Sequence, residues 1–116
     1  MAQFIYYAKC GTCRKALKWL DENGISYEKR DIKTEPPTRE ELGTFYEKSG
    51  LDIKRFFNTS GGLYRELNLK ERLPQMSVEE KLDLLATDGM LVKRPIYVDG
   101  DLVLVGFKEV EWEVLR

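Results

Sequence analysis

Apolar and polar residues change their spacing twice within the first thirty or so positions of the chain. Residues 3 to 7, QFIYY, form an unbroken run rich in aromatic and β-branched side chains, which predicts a buried strand ending in a turn at Lys9-Cys10-Gly11-Thr12. From Thr12 the period becomes helical. Ala16, Leu17, Trp19 and Leu20 follow Cys13 on one side, Arg14, Lys15, Lys18 and Asp21 fall on the other, and Asn23-Gly24 supplies a stop. Ile25 to Ile32 then alternates enough for a second strand. Strand, helix and strand in so short a span predict a βαβ unit with parallel strands and a right-handed crossover.

Pro36-Pro37 breaks the pattern, and Thr38-Arg39-Glu40-Glu41 reads as a capping box opening a helix to about Lys48, closed by Gly50. The middle of the chain stays helical. A polar turn at residues 58–62 precedes a short helix around Leu63 to Leu67, and Ser77-Val78-Glu79-Glu80 starts another with Leu82, Leu84 and Leu85 on its buried side. Asp99-Gly100 between Ile96-Tyr97-Val98 and Leu102 to Val105 is a hairpin signal. Lys108 to Leu115 reads as a last helix with Val110, Trp112 and Leu115 as its apolar contributors. The order β-α-β, helices, β-β-α predicts an α/β chain of thioredoxin or glutaredoxin type. Its four-stranded mixed sheet is expected in the order 2-1-3-4, strand 3 antiparallel to strand 1, with a helical insertion over approximately residues 38–90. With no repeat, linker or low-complexity segment, residues 1–116 are expected to form one domain.

Composition narrows the function classes. Nineteen Lys and Arg nearly cancel 20 Asp and Glu, so no overall field draws the chain to nucleic acid or to an anionic membrane, and direct binding to either is not expected. No apolar run approaches the roughly 20 residues of a membrane span, and MAQFIYY lacks the regions of a signal peptide, which leads to an expected cytoplasmic location. In a reducing compartment two cysteines more often serve catalysis, redox chemistry or a metal than a permanent bridge.

Those cysteines, Cys10 and Cys13, stand in a C-x-x-C spacing. A structural zinc site wants four ligands, mostly Cys or His; the chain has two cysteines and no histidine, so no metal site is expected. Two readings stay open: small residues packed at a helix start, and a redox pair. In the second, Cys10 lies just before a helix N-terminus whose unpaired N–H groups favour a thiolate. Cys10 then attacks, and Cys13, about a turn further in, resolves the mixed disulfide. In the thioredoxin arrangement a proline before the third strand faces the attacking cysteine and is usually cis; Arg94-Pro95 occupies that place. Arg94 is either a surface arginine ahead of a strand or a guanidinium that stabilises the thiolate or holds an acidic substrate. Gly11, Thr12, Arg94 and Pro95 are the expected substrate-binding positions.

The segments CGTCRKALKWL, EPPTREEL and LVKRPIYVDGDLVLVGF together resemble the arsenate-reductase-like family, which takes in ArsC enzymes and the Spx, MgsR, YffB and YusI types. The resemblance covers nearly the whole chain. It implies a thioredoxin-like fold with an inserted helical part, a reactive cysteine at Cys10 and a functional arginine at Arg94. It implies no bound cofactor, with glutathione as a thiol co-substrate and glutathione, glutaredoxin or a protein thiol as partner. Arsenate reductases of the family surround their oxyanion with further arginines; here the aligning stretches read Phe57-Asn58-Thr59-Ser60 and Val105-Gly106-Phe107. Arsenate reduction therefore ranks behind a thiol–disulfide oxidoreductase. The alternative implied by the Spx type is a redox-sensing regulator that binds the C-terminal domain of the RNA polymerase α subunit.

Overall fold

The computed structural model describes residues 1–116. The first strand, β1, runs Gln3–Tyr6, and helix α1 follows at Gly11–Glu22. β2, Glu28–Asp31, lies parallel to β1, with Phe4 beside Lys29 and Tyr6 beside Asp31, so the βαβ unit is present with shorter strands than the sequence suggests. β3, Ile96–Asp99, and β4, Leu102–Val105, form the expected hairpin, and β3 runs antiparallel to β1. The sheet order is β2-β1-β3-β4, the thioredoxin-like mixed arrangement.

Alternation of side chains sorts the sheet into two apolar faces. Phe4, Tyr97 and Leu104 point to one side, where Ala16, Trp19 and Leu20 of α1 meet Trp112. Trp112 lies in α6, Glu109–Trp112, is fully buried, donates its indole N–H to the Gly106 carbonyl at 3.0 Å and crosses the Tyr97 ring at 5.5 Å between centroids. Ile5, Ile96, Val103 and Val105 point to the other side, into a cluster built with the inserted helices. Those are α2, Arg39–Ser49; two single-turn helices, α3 at Gly62–Glu66 and α4 at Leu69–Arg72; and α5, Val78–Leu85. Both predicted capping boxes form, Thr38 with Glu41 and Ser77 with Glu80, and Gly50 ends α2 in the left-handed region at φ 67°.

Two details depart from the expectation. Val110, read as a buried contributor to the last helix, is 79% exposed, because α6 is only one turn long and its inward side is taken by Trp112. Leu84 is half-buried, while Leu82 and Leu85 are buried.

One polar hub ties the βαβ half to the insertion. The Arg30 guanidinium donates to both Glu41 carboxylate oxygens at 2.7 and 2.8 Å, to the Glu35 and Pro36 carbonyls at 2.8 and 3.1 Å, and to Gln3 Oε1 at 3.3 Å. The hydrogen bonds from Arg30, outweighing partial burial, hold the Glu41 carboxyl at about 2, well below the usual carboxylate range. Because the folded-state value is depressed, this pair stabilises the fold fully above about pH 5 and loses that contribution as pH falls from about 4.3 towards 2. Arg30→Met is expected to lower stability by about 1–2 kcal/mol at pH 7, discounted because the Glu41 side chain is partly solvated. Denaturant titrations should show the gap between wild type and variant narrowing below pH 4; a gap unchanged at pH 3 contradicts this role.

Candidate active site

Helix α1 begins with a sulfur as its cap. Cys10 has an extended backbone, φ −94° and ψ 117°, and its Sγ accepts the Cys13 N–H at 3.3 Å. An N-cap acceptor satisfies one of the donors that a helix start leaves unpaired. The Cys10 N–H is in turn held by the Tyr7 carbonyl at 3.0 Å, which fixes the turn between β1 and α1. Neither thiol is in a disulfide; Cys10 is partly exposed and Cys13 is buried. Gly11 and Thr12, the first two residues of the helix, are exposed, and nothing lies within 4 Å of where a Gly11 Cβ would stand. The helix start is therefore open to an incoming group.

The two sulfurs feel opposite environments. At Cys10, partial burial opposes ionisation, but the Cys13 thiol and N–H, the positive charge of Arg94 and the Thr12 N–H together bring the thiol below its ordinary value. At Cys13, burial pushes the thiol up to about 12; the Tyr7 backbone and Arg94 offset that only in part, and the neighbouring Cys10 adds to it. These environments favour the thiolate at Cys10 over that at Cys13.

Arg94 is brought to the pair by sheet pairing. Ile96 lies opposite both Ile5 of β1 and Val105 of β4, so the end of β1, the start of β3 and the end of β4 share one sheet edge. The Arg94-Pro95 peptide, just before β3, is cis, and Pro95 is buried with its carbonyl accepting the Gly106 N–H at 2.8 Å. The Arg94 guanidinium donates to the Met90 and Val92 carbonyls at 3.3 and 3.4 Å and lies 5.1 Å from the centre of the Tyr7 ring. It forms no ion pair with a carboxylate, which leaves its charge uncompensated beside Cys10. The Arg94 main-chain N–H and carbonyl also lack partners within the chain.

Sequence reasoning brought Cys10, Cys13, Arg94, Pro95, Gly11 and Thr12 to one place but overlooked Tyr7. Its ring carries the guanidinium and its carbonyl holds the Cys10 N–H. The available signal was an aromatic side chain three residues before the first cysteine. Arg94 is the cation that acts on both thiols. The turn at Asn58 also comes close, its side-chain amide nitrogen lying 3.5 Å from the Met90 carbonyl that Arg94 contacts. A neutral amide stands there. The described residues contain no cluster of three metal-ligating side chains, and no helix is long and apolar enough to cross a membrane.

Three comparisons place this geometry among known proteins. The sequence model of the ArsC family matches residues 5–115. YusI of Bacillus subtilis is 61% identical over 95% of this chain and 93% of its own, and the regulatory protein MgsR of the same organism is 33% identical over 93% and 84%. Among solved structures, an ArsC family related protein from Bacteroides fragilis superposes with a TM-score of 0.97 at 53% identity, covering 99% of this chain and 97% of that one.

Arg94→Ala is expected to move the Cys10 titration upward, read as ultraviolet thiolate absorbance in a Cys13→Ser background. At pH 7 the smaller thiolate fraction should slow alkylation of Cys10 by roughly two- to tenfold. An unchanged titration curve removes Arg94 from the electrostatics of the site.

Proposed function

The chain belongs to the ArsC family, and on that premise we propose that it is a thiol–disulfide oxidoreductase whose Cys10 attacks and whose Cys13 resolves. The observation that carries this reading is the opposed environment of the two sulfurs, a lowered thiol at the helix cap and a protonated one at about 12 behind it. The Cys10 thiolate attacks one sulfur of a substrate disulfide, forming a mixed disulfide and releasing the other sulfur as a thiolate that takes up a proton. Cys13 then loses its proton to solvent or to the released thiolate, and its sulfur attacks Cys10. The second substrate thiolate leaves; the substrate has gained two electrons and the chain holds a Cys10–Cys13 disulfide. Two equivalents of a thiol such as glutathione, or one of a dithiol protein of glutaredoxin type, return it to the reduced state and leave as disulfide. The unpaired Arg94 backbone offers an extended substrate segment one donor and one acceptor next to the attacking sulfur. Gly11 and Thr12 give that segment room at the helix start.

Arsenate reduction is less well supported. A dianionic oxyanion needs several charge-assisted bonds, each worth roughly 1.5–3 kcal/mol. Arg94 is the one guanidinium that acts on Cys10, and the neighbouring turn contributes Asn58.

Mild oxidation of the reduced chain should yield a reversible intramolecular disulfide, detected as loss of both titratable thiols and a mass decrease of about two protons. Cys10→Ser should lower disulfide reduction by at least roughly a hundredfold, whereas Cys13→Ser should accumulate a mixed disulfide with glutathione. Failure to form the Cys10–Cys13 bond under these conditions would sink the redox assignment.

The 33% identity to MgsR, named a regulatory protein, favours a second reading in which the same disulfide switches a binding surface and no substrate turns over. Pull-down of the C-terminal domain of the RNA polymerase α subunit by the oxidised form alone, or by the reduced form alone, would support it. Absence of binding in both states removes it.

A further inference from the structure

Beside the thiol pair lies a cationic rim without counter-ions. Lys9, Arg14 and Lys29 are exposed, and none of them forms an ion pair, although the chain as a whole carries a net charge of −1. Asp31 shares the sheet face of Lys29, but its carboxylate accepts the Lys33 N–H at 2.8 Å. Between Arg14 and Lys29 the surface dips into a groove of about 270 Å3, walled by Tyr6, Tyr7 and Leu17 and reaching Cys13. The Lys29 ammonium stands 5.8 Å from the Tyr6 ring centre, at the rim. The groove is smaller than the roughly 300–1,000 Å3 of pockets that enclose a whole small ligand, and is suited to a single large side chain.

We propose that this groove receives a segment of a partner protein in which an apolar side chain is flanked by carboxylates and adjoins the disulfide that Cys10 attacks. The inference rests on the oxidoreductase reading and names its substrate class. Aromatic and aliphatic walls favour an apolar side chain and leave a polar one poorly solvated. Arg14 and Lys29 on either side favour carboxylates and repel a basic segment. Cys13 lines the groove and its N–H holds the Cys10 sulfur at 3.3 Å, so a chain seated there is one residue removed from the attacking sulfur and docking is coupled to disulfide exchange.

The test uses the reduced 116-residue chain with three disulfides: a peptide with Glu residues flanking a Phe beside the disulfide, the same peptide with Lys replacing Glu, and neutral bis(2-hydroxyethyl) disulfide. At low salt the acidic peptide should react about tenfold or more faster than the basic one. The two rates should converge near 1 M salt, where the screening length is about 3 Å. Lys29→Glu should remove most of the acidic preference while leaving the rate with the neutral disulfide unchanged, and replacing the peptide Phe with Ser should slow the acidic peptide alone. Equal rates for the two peptides, or a preference that survives Lys29→Glu, overturns the proposal. Equally, tight binding of a duplex oligonucleotide that Lys29→Glu abolishes, without a peptide preference, assigns these cations to phosphate. If even the neutral disulfide fails to oxidise the thiol pair, the oxidoreductase reading has failed. Docking is then decided by amide chemical shifts, expected to move at Leu17 and Lys29 with the acidic peptide and overturned if they do not.

Discussion

The first turn of α1 has N–H groups with no helical partner, and the Cys10 sulfur supplies one acceptor by taking the Cys13 N–H at 3.3 Å. A sulfur in that position is more than a cap. A thiol is a weak acceptor and a thiolate a strong one, so the geometry that completes the helix also favours ionisation of Cys10. The same bond places Cys13 one turn deeper, where burial keeps its proton on. One local constraint therefore creates both halves of the thiol pair. It holds only while α1 keeps its position, which depends on Ala16, Trp19 and Leu20 packing against Phe4, Tyr97 and Trp112.

The rest of the fold brings an opposite wall to that sulfur. Antiparallel pairing of Ile96 with Ile5 and with Val105 gathers three chain segments at one sheet edge, and the cis Arg94-Pro95 peptide lies there. Carbonyls of Met90 and Val92 then aim the guanidinium, and Tyr7 bears its face. The inserted helices matter to the site because they carry the 90–92 segment. Val92 bridges to Phe57, and Asn58 N–H donates to the Leu91 carbonyl at 2.8 Å. Gly89 packs so closely on the Ile32 carbonyl that a Cβ would overlap it, which locks the segment to the end of β2. Structure distant in sequence thus sets the charge beside Cys10.

Features governed by local chemistry were legible in the sequence. The C-x-x-C at a change of period located the helix cap, the two S/T-x-x-E boxes located α2 and α5, and Asp99-Gly100 located the hairpin. The strand order followed from the succession of elements. What escaped depends on tertiary contact. Tyr7 read as the end of a strand, because nothing in its neighbours reveals that Arg94 will settle on its ring. Val110 read as core because it is an apolar residue in a helical stretch, and the spacing alone does not show that Trp112 takes the inward side of that turn.

The division of labour between the sulfurs is the centre of this account, and competitive alkylation tests it most directly. Reduced protein at neutral pH, treated with less than one equivalent of iodoacetamide and mapped by peptide mass, should carry the label on Cys10, with Cys13 unmodified until Cys10 is consumed. Equal labelling of the two thiols, or label appearing first on Cys13, contradicts the assignment of nucleophile and resolving thiol.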